Sequence, residues 1–181
     1  MHTYFQALKG RLIERPPVSV DAQGLKLKEA SVLAPLFWRD EEPWVYLTRR
    51  PMNLRRHPGQ ISFPGGAREE GDATPLHTAL RETHEELGIL PQQVEVLGML
   101  GSLPVVTGYY VTPFVGVLPS PMLLRPDPAE IDEVLEVPLR RLRTERRVIM
   151  QAEREVFLYD DGAQVIWGAT AYMLKQLLTY L

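Results

Sequence analysis

Gly65-Gly66-Ala67-Arg68-Glu69-Glu70-Gly71-Asp72, followed after a spacer by Arg81-Glu82-Thr83-His84-Glu85-Glu86-Leu87-Gly88-Ile89, is the stretch on which the reading of this chain turns. Residues 75–87 are predicted to form a helix, with Pro75 at the start and Gly88 just past the end. At about 100° per residue, Leu76, Ala79, Leu80, Thr83 and Leu87 fall on one stripe and Glu82, Glu85 and Glu86 on the opposite side. Three carboxylates on adjacent turns repel one another unless a cation sits among them. Mg²⁺ or Mn²⁺ suits such a site, because hard divalent ions take carboxylate oxygens and bridge to substrate phosphates. The simpler alternative is a solvated acidic face, with Arg81 pairing to Glu85 at i,i+4. Just upstream, Phe63-Pro64 leads into Gly65-Gly66, where consecutive glycines allow close approach of backbone to a ligand, or simply a tight turn.

Outward from this stretch, strands are predicted over 30–38 and 44–48, joined by a charged, proline-containing turn at 39–43. A loop rich in Arg, Pro and Gly follows over 49–59, then a short strand at 60–63. Beyond the helix, strands are expected at 94–103 and 109–117, an acidic segment at 127–136, and further strands at 148–151, 156–159 and 164–167, with Asp161-Gly162 as a hairpin turn. A helix over 169–180 closes the chain. Short strands mixed with few helices argue for an α+β sandwich with a mixed sheet rather than a doubly wound parallel one. Residues 1–15 read as an amphipathic helix ending at Pro16-Pro17, so one domain is expected over 1–181, with a helix and linker over 1–29 and a core over 30–181.

The 181 residues are 45% hydrophobic, enough to bury a core without staples. Absence of cysteine excludes disulfides, thiolate metal sites and cysteine nucleophiles, and fits a cytoplasmic protein. The net charge of −3 gives no global field toward nucleic acid, so no nucleic-acid partner is expected. That total conceals a loop with Arg49, Arg50, Arg55 and Arg56, in a chain with 16 arginines and only 4 lysines. Guanidiniums are forks suited to phosphate. The alternative is that these arginines satisfy the acidic segment at 127–136. Residues 96–124 carry no formal charge over 29 positions, but four prolines and four glycines interrupt them, so no membrane span is expected. The N-terminus lacks the apolar run of a signal peptide. The N-terminal helix and the 172–181 segment offer apolar faces that could serve a homodimer.

The Gly65–Ile89 string resembles the Nudix box, with three departures. Asp72 stands where Glu is usual, eight residues rather than seven precede Arg81, and Thr83 occupies an apolar slot, where its methyl can pack while its hydroxyl bonds back to a helical carbonyl. Upstream, Leu47-Thr48-Arg49-Arg50-Pro51 through Arg55, Gly59 and Phe63-Pro64-Gly65-Gly66 looks like the motif of the coenzyme A pyrophosphatase branch, with Tyr46 replacing a leucine and Pro51 a small residue. Thr107 to Gly116 and Glu130-Ile131-Asp132-Glu133-Val134 resemble further stretches of that branch, so the likeness spans roughly residues 30 to 180.

The resemblance implies a Nudix-type α/β/α sandwich with a catalytic loop and helix. It implies Mg²⁺- or Mn²⁺-dependent hydrolysis of the pyrophosphate of coenzyme A, or of a derivative, to 4′-phosphopantetheine and adenosine 3′,5′-bisphosphate. Glu82 and Glu86 would hold the principal ion, with Glu85 as a third ligand or as the base that polarises water. Glu130 is the rival base, and Arg81 would orient a neighbouring carboxylate. Arg49, Arg50, Arg55, Gly59, Ser62, Gly65 and Gly66 are the expected substrate contacts. The Asp72 departure bears on an outer ligand only. Alternative substrates are ADP-ribose, NADH and dinucleoside polyphosphates. A catalytically inactive nucleotide-binding module is the alternative of a different class, against which stands the presence of Glu82, Glu85 and Glu86 together.

Overall fold

The computed structural model describes the chain except residues 23, 54–57, 120–121, 145, 152–153 and 161–163, and gives backbone alone over 146–151, 154–157 and at 160. Strands β1 (Lys28–Arg39) and β2 (Glu42–Arg49) form a hairpin closed by Asp40 and Glu41, both in left-handed backbone. Such a two-residue turn matches the twist of the strands it joins. Alternation along both strands sorts the core into two faces. Ala34, Leu36, Val45 and Leu47 point to one face, where helix α1 (His2–Glu14) brings Phe5, Leu8 and Leu12, and helix α4 (Gly168–Leu178) brings Ala171, Met173, Leu174 and Leu177. Phe37 and Tyr46 point to the other face and stack at 4.2 Å, packed with Ile89, Leu118 and Leu87 of helix α2 (Pro75–Leu87). The result is the expected α+β sandwich with helices on both faces.

The sheet completes around that hairpin. Strand β3 (Ile61–Ser62) pairs with β2, β4 (Gly65–Ala67) runs antiparallel to β1, and β7 (Tyr109–Val117) runs parallel to β1. Strands β5 (Glu95–Met99) and β6 (Leu103–Val105) both pair with β7. One parallel ladder among antiparallel ones makes the sheet mixed. A second sheet of three strands holds β9 (Arg146–Gln151), β10 (Arg154–Asp160) and β11 (Val165–Ile166). No described helix is long and apolar enough to cross a membrane.

Several expectations change. The strand predicted over 94–103 is two strands, because Gln176 takes the backbone of Gly101 on both sides, at 2.7 and 3.1 Å, and Ser102 is held by Ser19 and Val20. The acidic segment contains strand β8 (Glu133–Pro138), which pairs along β2 and buries Leu135, and leads into helix α3 (Leu139–Thr144), which the sequence reading lacked. Gly65-Gly66 is not a turn but strand β4. The turn expected at Asp161-Gly162 lies outside the described residues. The apolar faces of α1 and α4 offered above to a homodimer are buried within the chain, and Arg11 ties α1 to the residues that follow α4 by donating to the carbonyls of Tyr180 and Leu181.

Candidate active site

Helix α2 is delimited by its own sequence. The hydroxyl of Thr74 accepts from the His77 N–H at 3.1 Å, Pro75 fills the first turn, and Gly88 ends the helix with φ +71°. Ala79, Thr83 and Leu87 are buried as the helical stripe required, and the Thr83 hydroxyl donates to the Ala79 carbonyl at 2.6 Å. The three glutamates expected on the side opposite that stripe do not share one environment, and a wholly solvated acidic face does not form. Glu86 is only 4% exposed and Thr78 is wholly buried, because the helix packs against β4 as well as against the centre of the sheet.

Asp72 and Arg81 form the anchor of this arrangement. The Arg81 guanidinium donates to both carboxylate oxygens of Asp72, at 3.0 and 2.9 Å, and the Thr78 hydroxyl and Glu69 N–H also donate to it. This holds the Asp72 carboxyl well below the usual carboxylate range, chiefly through the bond from Arg81 and against the cost of burial. Asp72, expected as an outer ligand, is instead enclosed and saturated with donors. The same guanidinium reaches the Ala67 carbonyl at 3.1 Å, Glu82 at 3.1 Å and Glu85 at 2.9 Å. Arg81 thus ties the loop, β4 and the helix together. Glu85 stands apart from its neighbours, with its side chain 56% exposed.

Glu82 and Glu86 turn toward β4. The Glu86 carboxylate accepts from the Gly65 N–H at 3.2 Å, and the Glu82 carboxylate lies so close to Gly66 that a Cβ there would stand 2.5 Å from it. Gly66 is the only residue type that leaves that space. At Gly65 a Cβ would fall 2.6 Å from Val32 Cα and closer still to the Ser31 carbonyl, with φ at +150°. The two glycines therefore serve opposite sides of one strand, Gly65 its fit to β1 and Gly66 its fit to the acidic helix.

A third carboxylate arrives from a distant loop. The Asp127 N–H donates to the Glu86 carbonyl at 3.0 Å and the Arg125 N–H to the Leu87 carbonyl at 2.9 Å, so the 125–131 segment is docked on the end of α2. Asp127 shapes the turn by accepting from Ala129 N–H at 2.9 Å, an Asx turn that its Asp-Pro-Ala-Glu sequence could have revealed. Glu130 sits on this turn. Burial pushes Glu86 up to about 8, eased by Gly65 N–H and Arg50 and reinforced by Glu82 and Glu130. Glu82 is also raised, first by burial and against the charge of Arg81, with Glu85 and Glu130 adding to the rise.

The arginine loop divides. Arg49 is taken by Glu133 across the ladder at 2.9 Å, as the alternative reading of the basic loop allowed. Arg50 is different: its Nε is buried with no hydrogen-bond partner among the described residues, and it lines a cleft of about 630 Å³ together with Gly65, Gly66 and Ala67. Gly59, with φ +65°, closes the loop by donating to the Arg50 carbonyl at 3.1 Å, and Ser62 lies in β3 opposite Thr48; among the described residues neither lines that cleft. Arg55, Arg56 and His57 lie outside the described residues.

Do these residues fit a divalent cation? Glu86 is a buried carboxylate with one described donor, Gly65 N–H, and beside it stands a second, half-buried carboxylate. Oxygen donors of this kind suit Mg²⁺ or Mn²⁺. Among the described residues no three acidic or imidazole groups gather tightly enough to enclose an ion alone. That also fits, because Mg²⁺ is usually held by one or two carboxylates with water and substrate phosphates completing its shell.

A family model described as NUDIX domain matches residues 27–158. A protein named "Uncharacterized Nudix hydrolase NudL" from Enterobacter sp. (strain 638) is 39% identical over 169 residues, covering 90% of this chain and 86% of that protein. The protein of the same name from Escherichia coli (strain K12) is 37% identical over 164 residues, covering 87% and 85%. Among solved structures, a NUDIX hydrolase from Alicyclobacillus acidocaldarius superposes with a TM-score of 0.58 at 18% identity, over 86% of this chain and 93% of that one.

Proposed function

This chain belongs to the Nudix family and is a hydrolase, and from that premise we propose that it cleaves the pyrophosphate of coenzyme A to 4′-phosphopantetheine and adenosine 3′,5′-bisphosphate. The observation that carries the reading is the meeting, around one short strand, of the carboxylates of Glu82 and Glu86 with Arg50, whose buried Nε has no partner among the described residues. A diphosphate brings what each lacks, an anion for the guanidinium and oxygens to share a cation with the carboxylates. The coenzyme A assignment is supported by the likeness of the 46–66 loop to that branch, and by the cleft beside Arg50, which is wide enough for a substrate with a long second arm.

Glu82 and Glu86 would hold Mg²⁺ or Mn²⁺, which when bound neutralises phosphate charge and lowers the pKa of water. Arg50, which lines the cleft, binds phosphate through its guanidinium. Glu130, from the docked turn, takes the proton of the attacking water, while Glu85 fixes Arg81. Arg81 is a positioning residue, holding Glu82 and the loop through Asp72. A diffusible nucleotide substrate goes with a cytoplasmic enzyme, and residues 1–181 act as one domain in this reading.

The test is incubation of purified protein with coenzyme A, ADP-ribose, NADH and a dinucleoside polyphosphate, each with Mg²⁺ or Mn²⁺, with products resolved chromatographically. Fastest release of adenosine 3′,5′-bisphosphate from coenzyme A is expected. Intact coenzyme A after hours with folded protein would overturn the assignment.

A further inference from the structure

The cleft beside Arg50 has a floor that takes no part in the chemistry above. Four strands run beneath it in the order β4, β1, β7, β6, and the ladder registers set Gly65 beside Val32, Ala67 beside Ala30, Ala30 beside Val111, and Val105 beside Tyr109. Side chains paired across a ladder share a face. Ala30, Val32, Val111, Tyr109 and Val105 therefore make one continuous surface from Gly65 to the β6–β7 hairpin. Helices α1 and α4 cover the rest of this face, and Val32, Val105 and Tyr109 remain partly exposed at its margin. The hairpin tip carries Val106, fully exposed at the lip. A surface that selects a nucleobase needs groups that hydrogen-bond to its edge. Among the described residues this one presents chiefly methyl groups, with only Thr107 and Tyr109 bearing hydroxyls, in a space of the size that takes a whole small ligand.

We infer that this floor binds the uncharged, aliphatic arm of a diphosphate substrate, with Val105, Val111 and Tyr109 as specificity-determining residues and Arg50 at the junction of arm and phosphate. The inference rests on the reading of Arg50, Glu82 and Glu86 as the diphosphate site, and it adds that the second arm is recognised by its apolar length. A nucleobase arm in the same place would find few partners for its polar edge among the described residues, Thr107, Tyr109 and Arg50 being the side chains there that could hydrogen-bond to it.

Binding of non-hydrolysable, methylene-bridged ADP esters with methyl, butyl and octyl arms, measured by calorimetry on the intact chain with Mg²⁺, tests it without requiring turnover. The affinity should rise about fourfold per added methylene until the floor is covered. Val105→Asp should flatten that rise, and Val105→Thr, which keeps the shape, should give a shallower rise than valine. Equal affinities across the series in the wild type, or an undiminished rise in the folded variants, would overturn the inference. The coenzyme A assay separates the two claims. A length-dependent affinity without coenzyme A turnover upholds the apolar floor and removes the substrate assignment, whereas turnover with a flat series overturns the floor and leaves the assignment standing.

Discussion

Gly66 is where catalysis and folding separate most cleanly. A Cβ there would stand 2.5 Å from Cδ and Oε1 of Glu82 and 2.6 Å from Oε2, where ordinary contact begins at 3.4 Å. Gly66→Ala therefore drives the carboxylate back by about 0.9 Å, and a misplacement near 1 Å costs roughly 10²-fold in rate. The atoms that must yield end a side chain, so the strain amounts to a rotamer cost of about 0.5–1.5 kcal/mol. Replacing glycine within a strand returns roughly 0.5–1 kcal/mol, which nearly offsets it. The expected result is a fall of about 100-fold in kcat/KM for coenzyme A, a Mg²⁺ dependence moved to higher concentration, and an unchanged urea midpoint. Wild-type kcat/KM with an unaltered Mg²⁺ titration would refute the reasoning.

Gly65→Ala should do the reverse of its neighbour: its Cβ meets backbone of β1 at φ +150°, so urea unfolding should show a loss of about 2–3 kcal/mol. Asp72→Asn removes the buried carboxylate that Arg81, the Thr78 hydroxyl and the Glu69 N–H share, leaving Arg81 only Glu82 and Glu85 as counter-charges, and should cost about 1.5–3 kcal/mol at neutral pH. Because Asp72 titrates far below its unfolded value of about 3.9, its contribution is present above that pH and is lost as pH falls further; acid unfolding of the asparagine variant should lack that component. Glu86 carries the opposite sign. With its carboxyl pushed up to about 8 in metal-free protein, stability is full below about pH 4.3 and falls as pH rises through about 8, by about 4–5 kcal/mol. Urea titrations in a chelator should show that slope, and Glu86→Gln should remove it.

The loop and helix were legible because their signals are local. Thr74, Pro75 and Gly88 fix the ends of α2 whatever surrounds it, and Ala79, Thr83 and Leu87 are buried as their spacing required. The position of Glu86 was not legible, since a helical wheel distinguishes apolar from polar but α2 has a second packed face that is polar, against Gly65 and Gly66. The fate of Asp72 depended on Arg81 nine residues away and on Thr78, a residue with no motif to mark it. Strand β8 was hidden by its acids: Glu133 and Glu136 made the stretch read as an acidic segment rather than a strand, whereas in the folded chain they pair with Arg49 and Arg39 across the edge of the ladder. Likewise the 94–103 run is broken by Gln176, at the far end of the chain.

The account stands most directly on Glu82 and Glu86 sharing one cation beside Gly65-Gly66. A crystal structure of the wild type soaked in Mn²⁺, with anomalous differences recorded at the manganese edge, should show a peak between those two carboxylates, and the peak should be absent from Glu86→Gln. Manganese bound elsewhere at full occupancy, with the space between Glu82 and Glu86 empty, would contradict the account.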